Sequence, residues 1–336
     1  MISFILIFFS GLALLCISNY EKKVFFNSLF FYITANLIFI FTFLILPEGF
    51  ADDQYEYFDY MQYDFDQLTQ IKYQIMYAIT YIPLQILDFD MLSIRYLFFL
   101  TYVLVLLFFL KNINLGYLSI AVFVAMPSIF LHASLFLREP LSYVFITFFI
   151  YFVLKRSFIP SLLTFLGVFI IRPDSAGLIA PFFLILYSNK RQFQNFAIVL
   201  LLFAYVYLVI FSPISDFLDG YRFLFGMPEF NLNIASIFSS LKNLFLGSAK
   251  FEIPTLIMLF ESVIMLFMIY KIKDKRIILF IWFVGLLIIG SISDNSGFVL
   301  RMRSPLILIT TLYFIFESYT ITRKNKNILK NSIYSV

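Results

Sequence analysis

Residues 127–154 read PSIFLHASLFLREPLSYVFITFFIYFVL, two long apolar runs with Arg138 and Glu139 between them. An ionisable pair in such a place must lie at the end of a helix or in a water-filled cavity, because a charge in hydrocarbon is costly. Similar interruptions of apolar sequence occur at Arg172-Pro173-Asp174, at Arg222 and at Arg301-Met302-Arg303. These four places are the first candidates for a functional site.

The composition excludes a soluble domain. Of the 336 residues, 62% are hydrophobic and 13% are charged, and the mean hydropathy is +0.94. Because so little polar surface could cover a soluble fold, we predict an all-α, polytopic membrane protein. One cysteine and one histidine exclude an internal disulfide and a metal cluster built from these residues. We expect no metal, no cofactor and no nucleic-acid partner.

Apolar runs of roughly spanning length predict about 11 transmembrane helices in one membrane domain over residues 1–336. The runs are 2–18, 24–46, 93–110, 115–134, 139–154, 158–171, 175–187, 195–211, 254–271, 277–292 and 304–320. The first has no basic segment before it and no small-residue cleavage site, which favours a retained helix over a signal peptide. Runs 158–171 and 175–187 are short, so each could span fully or re-enter.

Basic residues are concentrated in alternate connections between these runs. Those connections and the tail hold 15 of the 24 lysine and arginine residues, namely Lys22, Lys23, Lys111, Lys155, Arg156, Lys190, Arg191, Lys271, Lys273, Lys275, Arg276, Arg323, Lys324, Lys326 and Lys330. The positive-inside rule assigns them to the cytoplasm. The N-terminus is then outside, the C-terminus is cytoplasmic, and all four interruptions face the exoplasmic side.

Two exoplasmic connections are long, at approximately 47–92 and 212–253. Each carries an apolar face at helical spacing, which predicts an amphipathic helix in the membrane interface. The first face ends or kinks near Pro83. The faces comprise Leu68, Ile71, Ile75, Ile79, Ile82 and Ile86 in the first connection, and Ile234, Ile237, Phe238, Leu241 and Phe245 in the second.

The exoplasmic arginines suit binding of a diphosphate, because the guanidinium keeps its charge and matches phosphate oxygens with a planar fork. We predict phosphate contacts from Arg138, Arg172, Arg301 and Arg303. The alternative is that they anchor helix ends through ion pairs such as Arg138 with Glu139. The run before Arg172 rises about 21 Å, less than a bilayer core, so Arg172 should lie below the outer surface with Asp174 as its resting partner.

Candidate bases come from an acidic and aromatic segment of the first long connection. A partly desolvated carboxylate can take a proton from a sugar hydroxyl, and tyrosine rings can stack on sugars. We predict that one of the carboxylates Asp52, Asp53 and Glu56 is the base, with Tyr55 and Glu56 lining the substrate. A solvated acidic loop is the alternative interpretation of this segment.

Other polar residues are weaker candidates. His132, Asp174 and Asn295 are predicted to line the substrate, although a lone histidine in an apolar helix is more often a packed residue. Glu261 lies inside the run 254–271 and must face protein or water. We interpret it as a structural hydrogen-bond partner, with proton coupling in a transporter as the alternative.

Several short motifs together resemble the integral-membrane GT-C-like glycosyltransferases, and among them the bacterial oligosaccharide repeat-unit polymerases of the Wzy type, from O-antigen (lipopolysaccharide) and capsule pathways. The motifs are Asp52-Asp53-Gln54-Tyr55, Leu137-Arg138-Glu139-Pro140-Leu141, Arg172-Pro173-Asp174, Asn295-Ser296-Gly297 and Arg301-Met302-Arg303-Ser304-Pro305. The chain departs from many GT-C enzymes in having two helices before the acidic loop.

The resemblance implies an inverting glycosyltransferase, independent of metal and nucleotide, at the periplasmic face of the inner membrane. Such an enzyme moves a growing glycan from undecaprenyl diphosphate to the next lipid-linked repeat. Arg138, Arg172 and Arg303 would bind the donor diphosphate, and Asp53 or Glu139 would deprotonate the acceptor. A chain-length regulator is a further candidate partner. A GT-C transferase that adds one sugar from a polyprenyl phosphate, and a flippase of lipid-linked oligosaccharide, stay open as alternatives.

Overall fold

The fold was examined in a computed structural model, which describes residues 2–18, 22–45, 58–59, 71–87, 89–113, 117–135, 138–172, 175–180, 253–273, 275–292 and 303–319. Regular structure in these ranges is helical, without a strand, which confirms the all-α prediction for this part of the chain. In order, the helices are α1 (Ile2–Ser18), α2 (Lys22–Ile45), α3 (Ile71–Tyr81) with a short π-helix (Ile82–Ile86), α4 (Met91–Ile113), α5 (Tyr117–Val124), α6 (Pro127–Ala133), α7 (Glu139–Leu154), α8 (Phe158–Ile171), α9 (175–180), α10 (Ile253–Lys271), α11 (Lys275–Ile292) and α12 (303–319).

Most predicted runs correspond to a helix, and α8 has the bounds that its run predicts. Among the described residues, two stretches are long and apolar enough to cross a membrane by length and composition, Val24–Thr42 and Met91–Ile113. Helices α7 and α8 are shorter apolar helices. The run 195–211, most of 175–187 and the connection 212–253 lie outside the described residues.

The run 115–134 is not one continuous helix, and that prediction is wrong. Helix α5 ends at Val124 and α6 begins at Pro127. Between them, Met126 has a non-helical backbone with φ −118° and ψ 68°. Proline disfavours a helical residue before it and lacks the N–H that a continuing helix needs, yet it suits the first turn of a new helix. The sequence therefore breaks the helix at this proline.

Helix α4 lies at the centre of the described bundle and packs against α1, α2, α6 and α7. Its start is fixed by Asp90, whose Oδ1 accepts a hydrogen bond from the backbone N–H of Ser93 at 2.8 Å. Aspartate commonly caps a helix in this way, by accepting a hydrogen bond from a free backbone N–H of the first turn. The contact with Ser93 holds the pKa of the Asp90 carboxyl below its ordinary value.

Apolar side chains cover the outside of the bundle as well as its core. On α10, Phe260 and Val263 are 54% and 69% exposed, whereas the intervening Glu261 is 0% exposed. On α2, the exposed side chains are also apolar, namely Phe26, Phe30, Ile33, Leu37, Ile40, Phe41 and Leu44. Helices that are apolar on all sides are typical of membrane spans or of large cores.

Helix α3 and its kink confirm the helical part of the prediction for the first long connection. The π-helix contains Pro83, and a proline is a common cause of such an irregularity. The face packed on the protein carries Tyr73, Met76 and Thr80, while Ile79, Ile82 and Ile86 are exposed. The predicted isoleucine face thus points away from the bundle, and its location in a membrane interface stays a prediction.

Helices α7 and α8 form a tightly packed antiparallel pair. The turn between them closes α7 with two hydrogen bonds, from the N–H of Arg156 to the carbonyl of Val153 and from the N–H of Ser157 to the carbonyl of Phe152, both 2.9 Å. This is a Schellman motif, which needs a left-handed residue after the helix. Arg156 takes that conformation, with φ 55°.

Candidate functional site

The start of α7 and the end of α8 meet at the position of the first two interruptions. Glu139 is the first residue of α7, where a carboxylate is favoured by the helix dipole, and Pro140 fits the first turn. Arg172 follows the last residue of α8. The Arg172 Nη1 lies 2.5 Å from the Glu139 Oε1, and these side chains are 4% and 0% exposed. The two residues form a buried ion pair.

Arg138 makes a second link between the same helix ends. Its Nη1 donates a hydrogen bond to the carbonyl of Ile171 at 3.3 Å, and its own carbonyl accepts from the N–H of Ser142 at 3.0 Å. Arg138 is buried, as is Arg172. Glu139 thus pairs with Arg172, and Arg138 donates to a helix-terminal carbonyl. Asp174, the partner predicted for Arg172, lies outside the described residues, and its contact with Arg172 stays a prediction.

Arg303 begins α12 and lies in a second buried cluster. Its Nη2 donates to the Ser262 hydroxyl at 3.1 Å and lies 3.9 Å from the Glu261 Oε2. Arg303 and Glu261 are both fully buried. Charge-assisted hydrogen bonds are usually about 2.7–2.9 Å long, so this pair is held by charge more than by a direct hydrogen bond.

A contact between α7 and α12 brings the two clusters to one end of the bundle. The hydroxyl of Tyr143 is hydrogen-bonded to that of Ser304. Tyr143 follows Glu139 by four residues on α7, about 6 Å along the helix, and Ser304 is next to Arg303. Both α7 and α12 start at this end. The three arginines Arg138, Arg172 and Arg303 therefore lie in one region, which we call the arginine end.

Lysine-rich turns lie at the far ends of the same helices. The turn after α7 contains Lys155 and Arg156, a full helix length from Glu139. Near the other end of α12, Glu317 accepts a hydrogen bond from the N–H of Lys273, in the turn between α10 and α11, at 2.8 Å. Arg138 thus lies at one end of α7, and Lys155 and Arg156 lie at the other.

The break between α5 and α6 is joined to the Arg303 cluster through Glu261. The Glu261 Oε1 accepts a hydrogen bond from the N–H of Ser128, the second residue of α6, at 2.7 Å. Glu261 therefore connects a freed N–H at the helix break with the guanidinium of Arg303. A carboxylate at this position satisfies a donor that the interrupted helix cannot.

His132 and Arg95 make further hydrogen bonds to backbone carbonyls in α6 and at its end. The His132 Nδ1 donates to the carbonyl of Ser128, one turn earlier, at 2.8 Å. The Arg95 Nε donates to the carbonyl of Ser134, at the end of α6, at 2.9 Å. Both side chains are buried. His132 is accordingly a packed, hydrogen-bonded residue, and Arg95 stabilises the end of α6.

Several predicted site residues lie outside the described residues, namely Asp52, Asp53, Tyr55, Glu56, Asp174, Asn295 and Arg301. The interpretation of Glu261 as a structural hydrogen-bond partner is confirmed by its contact with Ser128. Sequence reasoning missed its pairing with Arg303, and also the contributions of Tyr143, Ser262 and Ser304. A signal existed for Glu261, because a carboxylate inside an apolar run needs a buried partner. The sequence does not indicate which hydrogen-bond partner a serine or a tyrosine in an apolar helix will have.

Comparison of the chain with protein-family models, with curated protein sequences and with solved structures finds no match. The functional proposal is therefore built on the arginine end and on the sequence motifs.

Proposed function

We propose that this chain is a polytopic membrane glycosyltransferase that polymerises oligosaccharide repeat units carried on undecaprenyl diphosphate. In this proposal about eleven spans cross the bacterial inner membrane, the arginine end faces the periplasm, and the C-terminus is cytoplasmic. The donor is the lipid-diphosphate-linked glycan and the acceptor is the next lipid-linked repeat. The acceptor oxygen takes the place of the lipid diphosphate at the anomeric carbon, with inversion of configuration.

The observation that carries the proposal is the convergence of Arg138, Arg172 and Arg303 at one end of an apolar bundle. Buried arginines in an apolar bundle are costly, so three of them in one region call for an anionic function. Guanidinium groups suit phosphate oxygens because they offer several donors in a plane. All three are at helix ends that the short motifs of the sequence mark.

The location in a membrane is supported by the distribution of polar and apolar side chains. Glu261 and Arg303 are inside the bundle, and the exposed face of α10 is formed by Phe260, Val263, Leu266 and Phe267. An apolar exterior of this kind is unfavourable in water but favourable in lipid. The separation of lysine turns from arginine residues supports the assignment of the arginine end to the periplasm.

The proposed roles follow the chemistry of the transfer. Arg138, Arg172 and Arg303, with Arg301, bind the diphosphate and stabilise the charge that develops as it leaves. Asp53, Asp52 or Glu139 takes the proton of the acceptor hydroxyl as its oxygen bonds to the anomeric carbon. The electron pair of the broken bond leaves with the lipid diphosphate. The single-sugar transferase uses the same groups and stays an alternative.

One observation favours the flippase as a second candidate. Transporters often build their sites at interrupted helices near the bilayer midplane. The α5–α6 break beside buried Glu261 and Arg303 is such an interruption. A flippase would use this cluster for the diphosphate and for a moving proton, and would catalyse no glycosyl transfer.

Deletion of the gene in the host distinguishes these functions through the electrophoretic profile of the surface polysaccharide. A polymerase deletion should leave single repeats on the acceptor lipid, because assembly and export of the repeat stay intact. Loss of the single repeat as well would exclude the polymerase and favour the earlier-acting transferase or the flippase.

Complementation with Arg172→Lys tests the arginine end itself. Lysine keeps the charge that pairs with Glu139 but lacks the planar fork, so we expect folded protein with single-repeat product. Arg156→Lys, at the lysine-rich turn, is the matched control and should restore long chains. Full chain length from the Arg172→Lys variant at normal protein level would contradict the role of this arginine.

A further inference from the structure

Helices α7 and α8 are joined at the arginine end by two links that run in opposite directions. Arg138, before α7, donates to the carbonyl of Ile171 at the end of α8. Arg172, after α8, pairs with Glu139 at the start of α7. Each helix end therefore supplies an arginine to the other. A ligand that takes either guanidinium must compete with a group of the protein.

The Arg172 link is closed in this structure. The Nη1–Oε1 distance is 2.5 Å, and 4% of the Arg172 side chain and none of the Glu139 side chain is exposed. An outside anion can contact this guanidinium extensively only if the pair opens. Carboxylate and phosphate oxygens are the same kind of acceptor for a guanidinium, so one can replace the other with little change in geometry.

The charges of the Arg172 link favour replacement over addition. Arg172 and Glu139 form a neutral pair, and both side chains are buried. A diphosphate diester that contacts Arg172 brings two negative charges next to the Glu139 carboxylate. Withdrawal of this carboxylate from its guanidinium relieves the repulsion between the carboxylate and the phosphate.

We infer that Glu139 is the resting occupant of the anion position at Arg172, and that the diphosphate of the donor binds by displacing it. The inference rests on the proposed function. Glu139 is the carboxylate that moves, because it is the one in contact with the Arg172 guanidinium. The same competition lets the carboxylate return to Arg172 when the lipid diphosphate leaves, which limits retention of the product.

The test is binding of farnesyl diphosphate to the purified full chain in detergent, with farnesol as the uncharged control ligand. Glu139→Gln keeps an oxygen that can accept from Arg172 but removes the competing charge. We expect this variant to bind farnesyl diphosphate about tenfold to a hundredfold more tightly than wild type, the range that corresponds to one charge-assisted hydrogen bond. Glu317→Gln, at the opposite end of α12, is the matched control and should bind like wild type.

The outcomes separate this inference from the proposed function. Equal affinity of wild type and Glu139→Gln would overturn the displacement while leaving a diphosphate site. Failure of both proteins to bind farnesyl diphosphate better than farnesol would overturn the diphosphate site and, with it, the displacement. If Glu139→Gln does not fold, Glu139→Asp replaces it, because a carboxylate retracted by one methylene competes less well, and about threefold tighter binding is expected. Unchanged affinity in that variant would overturn the displacement too.

Discussion

Glu139 and Glu261 are both buried carboxylates beside an arginine, but their contacts differ. Glu139 touches its arginine at 2.5 Å, at a junction of helix ends. Glu261 is 3.9 Å from its arginine and accepts its shorter hydrogen bond from a backbone N–H. The first arrangement suits exchange with a ligand, and the second suits a fixed support for Arg303.

Substitution of Glu261 should destabilise the protein. The loss should depend on whether the new side chain keeps the contacts with the Ser128 N–H and the Arg303 guanidinium. Glu261→Ala leaves a buried N–H and a buried guanidinium without this carboxylate, a loss on the order of 3–5 kcal/mol. Glu261→Gln keeps the acceptor for Ser128 and should lose less. Thermal unfolding of the purified variants in detergent measures the order.

Glu317→Ala is the matched control for these two variants. It also removes an acceptor from a backbone N–H, that of Lys273, but at an exposed turn. We expect a loss of about 1 kcal/mol or less, because water can satisfy the freed group. Equal losses for Glu317→Ala and Glu261→Ala would contradict the supporting role of Glu261.

Asp90 should make the stability of α4 depend on pH. The pKa of its carboxyl is lowered in the folded protein by the contact with Ser93, so its stabilisation is complete above the unfolded value of about 3.9 and is lost as the pH falls through the lowered value. Asp90→Ala should cost about 1 kcal/mol at neutral pH and progressively less below about pH 4. Thermal midpoints across this pH range measure the difference.

Asp90→Asn gives the control for the titration, since an amide oxygen can cap the helix without changing charge. The thermal midpoint of Asp90→Asn should be close to that of wild type at neutral pH. It should lack the pH dependence that titration of the Asp90 carboxyl gives to wild type. An Asp90→Ala cost that is the same at pH 3 and pH 7 would contradict the assignment.

At the scale of helices, apolar run length predicts where most helices lie, and α8 is the clearest example. The prediction for the run 115–134 is wrong because hydropathy does not report backbone conformation. Pro127 breaks the helix, although the run is apolar enough on average to be predicted as one span. The partner of Arg172 could not be predicted either. Glu139 is 33 residues away in sequence, and the antiparallel packing of α7 on α8 brings it into contact with Arg172.

The turn between α7 and α8 carries a residue in an unfavourable conformation. Arg156 has φ 55°, which costs a residue with a Cβ about 1 kcal/mol relative to glycine. Arg156→Gly should therefore raise the thermal midpoint in detergent, by a shift equivalent to about 1 kcal/mol or less. Ser157→Gly is the matched control, because Ser157 has φ −96° and gains nothing from glycine. A lower midpoint for Arg156→Gly would contradict the strain at this turn.

At the scale of the whole molecule, the composition alone predicts a membrane protein. A chain with so few charged residues has too little polar surface to cover a soluble fold. On α7, Arg138 and the turn with Lys155 and Arg156 lie at opposite ends, and the assignment of the two ends to the two sides of the membrane stays a prediction. Assembly of the arginine end from α7, α8, α10 and α12 could not be predicted, since it depends on contacts such as Tyr143 with Ser304 between distant segments.

The proposed orientation in the membrane can be measured with single cysteines in a Cys16→Ser background, because the chain has one cysteine. Asp90→Cys should react with a membrane-impermeant maleimide in intact spheroplasts, since the proposed orientation assigns Asp90 to an exoplasmic connection. Arg156→Cys should react only after permeabilisation. Both positions are exposed on the protein. Reaction of the two from the same side would contradict the topology.

Reconstitution of the purified chain with a single class of substrate tests polymerisation itself. The protein is incorporated into liposomes with undecaprenyl-diphosphate-linked repeat units, and the products are resolved by electrophoresis and mass spectrometry. We predict a ladder of one-repeat steps, with one undecaprenyl diphosphate released for each step, and no ladder with Arg172→Lys. Single repeats that stay unchanged beside folded wild-type protein would contradict the polymerase proposal.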